Sequence, residues 1–140
     1  MPGLIEPGSP QVMDWHTWTI IGGAVVAFLL WKRLTLVRPE AARQWLKKGA
    51  RVLDVRGEGE FRGGHLPGAV NVPLDRLRDE IARLAPDKEQ PLLLHCLSGT
   101  RSGMGKTRLK KMGYQNVFNL GSYGRAEKIL AAPSQAGKQD

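Results

Sequence analysis

A single cysteine, Cys96, stands in a chain of 140 residues, so no intramolecular disulfide can form. Three histidines accompany it, His16, His65 and His95, and their spacing with Cys96 matches no structural zinc pattern. The chain is long enough to bury a core of ordinary size without such staples. A lone thiol is then either an inert filler or a reactive group, and a reactive thiol is kept in a reducing compartment. Aromatic residues are scarce at 6%, and acidic residues are outnumbered, 13 against 21 Lys and Arg, for a formal net charge of +8. Nucleic-acid binders gather basic residues on one face and interleave them with aromatics. With so few aromatics, no nucleic-acid partner is expected. The basic excess suits a domain held beside an anionic membrane surface.

Charged side chains are missing altogether from residues 15–31, WHTWTIIGGAVVAFLLW. A spanning helix needs about 20 mostly apolar residues, with a range of about 17 to 25. Trp15, Trp18 and Trp31 lie near the ends of the run, where indole rings suit the headgroup region, and Lys32 and Arg33 follow as a cationic stop. A buried core helix would carry a polar stripe at helical period, which this run lacks. A cleaved signal peptide needs a basic n-region and a small-residue cleavage site. Residues 1–14 contain no Lys or Arg, and WKRLTLV offers no such site. The run is therefore expected to be an uncleaved single-pass anchor over residues 15–31. The acidic head, residues 1–14, faces Lys32, Arg33, Arg38, Arg43, Lys47 and Lys48 across it. Positive-inside asymmetry then predicts a cell inner-membrane protein with its N-terminus out and its C-terminal domain in the cytoplasm.

No internal repeat is present. After the anchor, helical and strand-like patterns alternate. Residues 39–48 (PEAARQWLKK) predict a helix with Pro39 in its first turn, ended by Gly49. Residues 51–55 predict a short strand, and residues 74–84 carry Leu74, Leu77, Ile81 and Leu84 at helical spacing. Residues 91–95 (PLLLH) form a continuous apolar run of the kind buried on both faces of a sheet. A helix over 102–112 and a strand over 116–119 follow, and residues 131–140 (AAPSQAGKQD) predict a disordered tail. This alternation predicts an α/β domain with a parallel sheet covered on both faces, whose chemistry collects at the strands' carboxyl ends.

Cys96 lies at such an end and opens the loop CLSGTRS, residues 96–102. The loop must curl back within a few residues, and Gly99 supplies a position free to take positive φ. No proline interrupts it, so the amides can converge as an anion nest, reinforced by the N-terminus of the next helix. Arg101 adds a cation and Ser102 a hydroxyl. Each of these favours thiolate over thiol, and thiolate is the nucleophile. His95 is a poor base for Cys96, because adjacent strand residues point to opposite faces. His65, in GHLPGA, is better explained by turn chemistry.

With these residues assembled, the chain resembles the single-domain rhodanese-like sulfurtransferase family over residues 35–130. The segments that carry the resemblance are VLDVRGEGEF (52–61), GHLPGAVNVPL (64–74), CLSGTRS (96–102) and MGYQNVFNLGSYG (112–124). It implies a three-layer α/β fold, a central parallel sheet flanked by helices, here preceded by one transmembrane helix. It implies Cys96 as the sulfur-accepting nucleophile and Arg101 at the rim of its cradle, with substrate held by Leu97, Ser98, Gly99, Thr100 and Ser102. Asp54 and Arg56 match the family's DxR and imply an ion pair that shapes a turn. No metal and no organic cofactor is implied. The partners implied are a small sulfur-donor anion such as thiosulfate, or a persulfide, and a thiol or cyanide-like acceptor. A protein partner is not specified.

Two rivals stand beside this reading. Phosphatases and arsenate reductases built on a similar loop place five residues between Cys and Arg. Here only Leu97, Ser98, Gly99 and Thr100 intervene, a ring better sized for sulfur. A non-catalytic, membrane-tethered binding or redox-sensing module would use the same low-pKa thiol without turnover. Two departures from the family bear on the site. Gly103 and Gly105 either loosen the helix after the loop or permit close packing. The turn GSYGR, residues 121–125, brings Tyr123 and Arg125 toward the pocket's border.

Overall fold

The computed structural model describes residues 14–132, which divide between Leu34 and Thr35 into two units. The uncharged run and the four residues after it form α1 (Trp15–Thr35), a helix of 21 residues with none buried, which makes up the first unit to Leu34. Such a helix is about 31 Å long, enough by length and composition to cross a bilayer core of about 30 Å. It extends past the expected end at Trp31. Lys32 and Arg33 continue its last turn, where cations complement the helix dipole.

The second unit runs α2 (Pro39–Lys47), β1 (Arg51–Asp54), α3 (Glu58–Arg62), β2 (Val70–Asn71), α4 (Leu77–Leu84), β3 (Leu92–His95), α5 (Thr100–Lys111), β4 (Val117–Gly121) and α6 (Tyr123–Ala131). All strand pairs are parallel, in the order β2-β1-β3-β4. Helices on both faces complete the three-layer α/β fold expected from the sequence. Along β3 the pleat sends Leu92, Leu94 and Cys96 into one core, with Leu77 and Ile81 of α4 and Leu109 of α5. Leu93 enters the other core, with Ala42 of α2 and Ala126 and Ile129 of α6.

The structure corrects the sequence expectations at several places. α4 begins at Leu77, because residues 74–76 form a turn before it, and α5 begins at Thr100, directly on the loop. Three elements went unread: α3, too short to show a period; β2, two residues inside a turn-rich segment; and α6. The segment GSYGR enters a helix, with Ser122 Oγ accepting from the Arg125 amide at 3.3 Å as its N-cap. α6 runs through Ala131, so the expected tail cannot start there, and beyond Ala132 it lies outside the described residues. The expected head, Asp14 apart, also lies outside them.

Gly105 decides between the two readings of the α5 glycines. A Cβ there would stand 2.8 Å from Leu94 Cδ2 and 3.3 Å from Leu77 Cδ2, both on fully buried side chains. The glycine permits close approach of α5 to the sheet and to α4. Gly105→Ala is therefore expected to destabilise the chain. Overpacking costs about 1–3 kcal/mol and is only partly offset by about 1 kcal/mol of helix propensity. Thermal unfolding of the full chain in detergent micelles checks this, and an unchanged or raised midpoint would show that Leu94 moves aside freely.

Candidate active site

Cys96 emerges from β3 into the loop that α5 follows. The strand pairing is bulged at this point: Leu94 pairs with Asn119 but His95 with Gly121, skipping Leu120. A bulge re-aims the residues beside it. The Gly121 carbonyl here accepts from the Cys96 amide at 3.2 Å. Two further contacts tie the loop to the β4–α6 turn, an antiparallel bridge between Ser98 and Ser122 and a bond from the Tyr123 amide to Leu97 O at 3.3 Å.

Within this frame the thiol is surrounded by donors. The Gly99 amide donates to Cys96 Sγ at 3.0 Å, and Ser102 Oγ lies 3.6 Å from it. Gly99, at φ +92°, reverses the chain so that its amide points back to the sulfur. Burial pushes the Cys96 thiol up. Hydrogen bonds from the Ser102 amide and hydroxyl and from the Gly99 and Ser98 amides outweigh it, and the net direction is down, toward thiolate.

Asn119, unread in the sequence, holds this geometry from the neighbouring strand. It is buried, its Oδ1 accepts from Ser102 Oγ at 2.7 Å and from the Gly121 amide at 2.8 Å, and its Nδ2 donates to Gly99 O at 3.2 Å. Ser102 has one hydroxyl proton and three acceptors in reach, counting Gly99 O at 3.1 Å. Asn119 Oδ1 is the nearest, and Sγ competes for the proton once it is charged.

The remaining residues singled out in the sequence are placed as follows. Leu97 is exposed, Thr100 opens α5, and its Oγ1 accepts from Ser98 Oγ at 3.4 Å. Arg101 is bound at 2.6 and 3.0 Å by both carboxylate oxygens of Glu60, a residue of α3 that the sequence reading passed over. Asp54 and Arg56 form a buried bidentate pair, closed at 2.8 to 3.0 Å, and Arg56 also donates to Gly64 O at 2.8 Å. His95 turns away from Cys96. Its ring is fully buried, lies edge-on to Tyr123 at 5.9 Å, and has Nε2 3.8 Å from Asp54 Oδ2, with neither nitrogen hydrogen-bonded. Burial pushes its pKa down. Arg125 does not border the pocket as expected, because it donates to Leu120 O and Val37 O at 2.5 and 2.6 Å. The Tyr123 ring lies under Arg56, 4.8 Å from its guanidinium carbon, and lines a separate cavity of about 390 Å³ with Leu66, Glu127 and Leu130. Among the described residues, no group of three or more His, Cys, Asp or Glu side chains is placed to hold a metal ion.

A strand delivering a thiol into a ring of amides is the arrangement on which known proteins can be compared. The model of the rhodanese-like domain family matches residues 38–124. The chain belongs to that family. Among curated rhodanese relatives it is 34% identical over 97 residues to thiosulfate sulfurtransferase PspE of Escherichia coli, covering 69% of this chain and 83% of that protein. It is 29% identical over 105 residues to thiosulfate sulfurtransferase GlpE of Pseudomonas aeruginosa, covering 74% and 94%. Among solved structures, a rhodanese with anions from E. coli superposes with a TM-score of 0.53 at 34% identity, over 60% of this chain and 94% of that one. The human single-domain sulfurtransferase TSTD1 gives 0.56 at 26%, over 70% and 97%. The protein is a rhodanese-type sulfurtransferase.

For a rhodanese loop of this geometry, Ser102→Ala keeps the amide and removes only the hydroxyl. The variant is expected to raise the Cys96 pKa, so the rise of alkylation rate with pH moves to higher pH. Iodoacetamide labelling across a pH series checks this. An unmoved profile would mean that the backbone amides alone set the thiol.

Proposed function

We propose that this sulfurtransferase is membrane-anchored through α1 and moves sulfane sulfur through a persulfide on Cys96. The observation that carries the reading is Sγ held by the Gly99 amide at 3.0 Å in a loop whose hydrogen bonds favour thiolate. The Cys96 thiolate attacks the outer sulfur of thiosulfate or of a persulfide. A new S–S bond forms, the donor's own S–S bond breaks, and its electron pair leaves with sulfite or a thiolate. The amides of Ser98, Gly99 and Ser102, which already face Sγ, then stabilise the terminal sulfur's negative charge, as preorganised donors do for developing charge. A thiol or cyanide-like acceptor attacks that outer sulfur and returns Cys96 as thiolate. No proton relay is needed, which agrees with a neutral His95 facing the other way.

Covalent transfer of this kind gives ping-pong kinetics. The test is the initial rate of thiocyanate formation from thiosulfate and cyanide by the full chain in detergent micelles, with both substrates varied. Parallel double-reciprocal lines support the covalent route, and intersecting lines count against it. The basic residues after α1 support an inner-membrane location with the sulfurtransferase unit in the cytoplasm. Cysteine-free labelling tags at either end of the chain, probed for protease access in inverted and right-side-out vesicles, test that orientation.

A further inference from the structure

Arg101 occupies the first turn of α5, where a cation opposes the helix dipole and where α5 supplies no acid of its own. The counter-charge comes from Glu60 of α3. Its carboxylate binds the guanidinium through both oxygens and also accepts from the Gly57 amide at 3.0 Å. The Arg101 hydrogen bond first, and the Gly57 amide next, hold the Glu60 carboxyl at about 2, so it is charged throughout any ordinary assay range.

Arg101 and Glu60 both line a cavity of about 330 Å³ beside the Cys96 loop. The other charged groups of its wall are Arg108, which donates to Leu74 O at 2.8 Å, and Asp75. Two cations and two carboxylates leave that wall neutral, although the chain as a whole carries +8. A dianion such as thiosulfate therefore meets a rim whose nearest guanidinium is already paired, while a donor with a single charge loses less by that neutrality.

From this geometry we infer that Glu60 sets donor specificity. By pairing Arg101 it selects singly charged sulfane-sulfur donors, organic persulfides and thiosulfonates, over dianionic thiosulfate. Glu60 acts through Arg101 and is a positioning residue. The inference rests on the sulfur transfer through Cys96 proposed above.

The experiment compares thiosulfate with the methanethiosulfonate anion as donor, with cyanide as the common acceptor, using the full chain in detergent micelles. Each donor gives up its outer sulfur to Cys96, leaving sulfite or methanesulfinate. Glu60→Gln keeps an acceptor for the Gly57 amide and removes the charge. It is expected to lower KM for thiosulfate about tenfold and for the monoanion about threefold, with kcat little changed. Coulomb energy scales with donor charge, so the first factor is about the square of the second. Added salt is expected to shrink both factors, since the rim is solvent-accessible. Glu60→Asp retains the carboxylate and is expected to restore the parent ratio, and thermal unfolding of each variant confirms that it is folded.

Equal changes for the two donors, or a Glu60→Asp variant that behaves as Glu60→Gln, would assign Glu60 a structural role only and overturn the inference. If the parent chain transfers sulfur from neither donor, the route through Cys96 falls with it. That outcome is distinct, because in the first case turnover persists with an unshifted preference.

Discussion

Cys96→Ser is expected to eliminate sulfur transfer, a loss of about a thousandfold or more, while the chain stays folded. A serine hydroxyl is not appreciably ionised near neutral pH, and its oxygen cannot carry a sulfane sulfur as a persulfide does, so the covalent route closes. The substitution should be structurally mild. Cys96 is buried in the core cluster that also holds Val55, Leu94 and Leu109, and the smaller, polar oxygen still has the Gly99 amide to accept from. A net stability cost of about 1 kcal/mol is the scale for such a change in hydrogen bonding. Thiocyanate assays alongside thermal unfolding read both parts. Substantial activity in a folded serine variant would remove Cys96 from the mechanism.

Gly99→Ala is expected to be nearly as damaging for a different reason. Gly99 is at φ +92°, where an L side chain costs about 1–2 kcal/mol. Its Cβ would also stand 3.1 Å from Gly121 Cα and 3.2 Å from Gly121 C. Those are backbone atoms of the β4–α6 turn to which the loop is tied, so no rotamer relieves the contact. The loop must shift, and the Gly99 amide shifts with it. Loss of stability of about 2–4 kcal/mol and of kcat by about 100-fold is the expected outcome. Gly99→Asn separates the two causes. Asn tolerates left-handed backbone better than Ala, so full rescue by Asn would assign the defect to φ alone. Partial rescue, the result expected here, assigns the remaining defect to the close approach of Gly121.

The contrast between Gly99 and Asn119 shows what the sequence made legible. Gly99 could be read because loop geometry is local: a cysteine after an apolar strand, a reversal and a helix lie within seven residues. The opposite orientations of His95 and Cys96 were legible for the same reason, since the pleat fixes them. Asn119 could not be read, because it meets Ser102 and Gly99 only across the β3–β4 pairing, and the bulge that aligns Gly121 with His95 has no signature in NVFNLG. Glu60 was hidden by distance along the chain. It sits 41 residues before Arg101 on a helix of five residues, with no apolar period to announce it. α6 was masked by Gly121 and Gly124, which punctuate the segment like a turn, although the Ser122 cap was available as a signal. The apolar run from Trp15 was readable as a helix, and that helix continues past the run through Lys32 and Arg33 to Thr35.

The most direct test of the account is the intact mass of the reduced full chain after incubation with thiosulfate or the methanethiosulfonate anion, in parent and Cys96→Ser forms. The account predicts a gain of one sulfur atom, about 32 Da, in the parent alone, reversed by cyanide, as a covalent intermediate on a nucleophile requires. An unchanged mass with both donors in a folded, reduced parent chain, or the same gain in the serine variant, would contradict it.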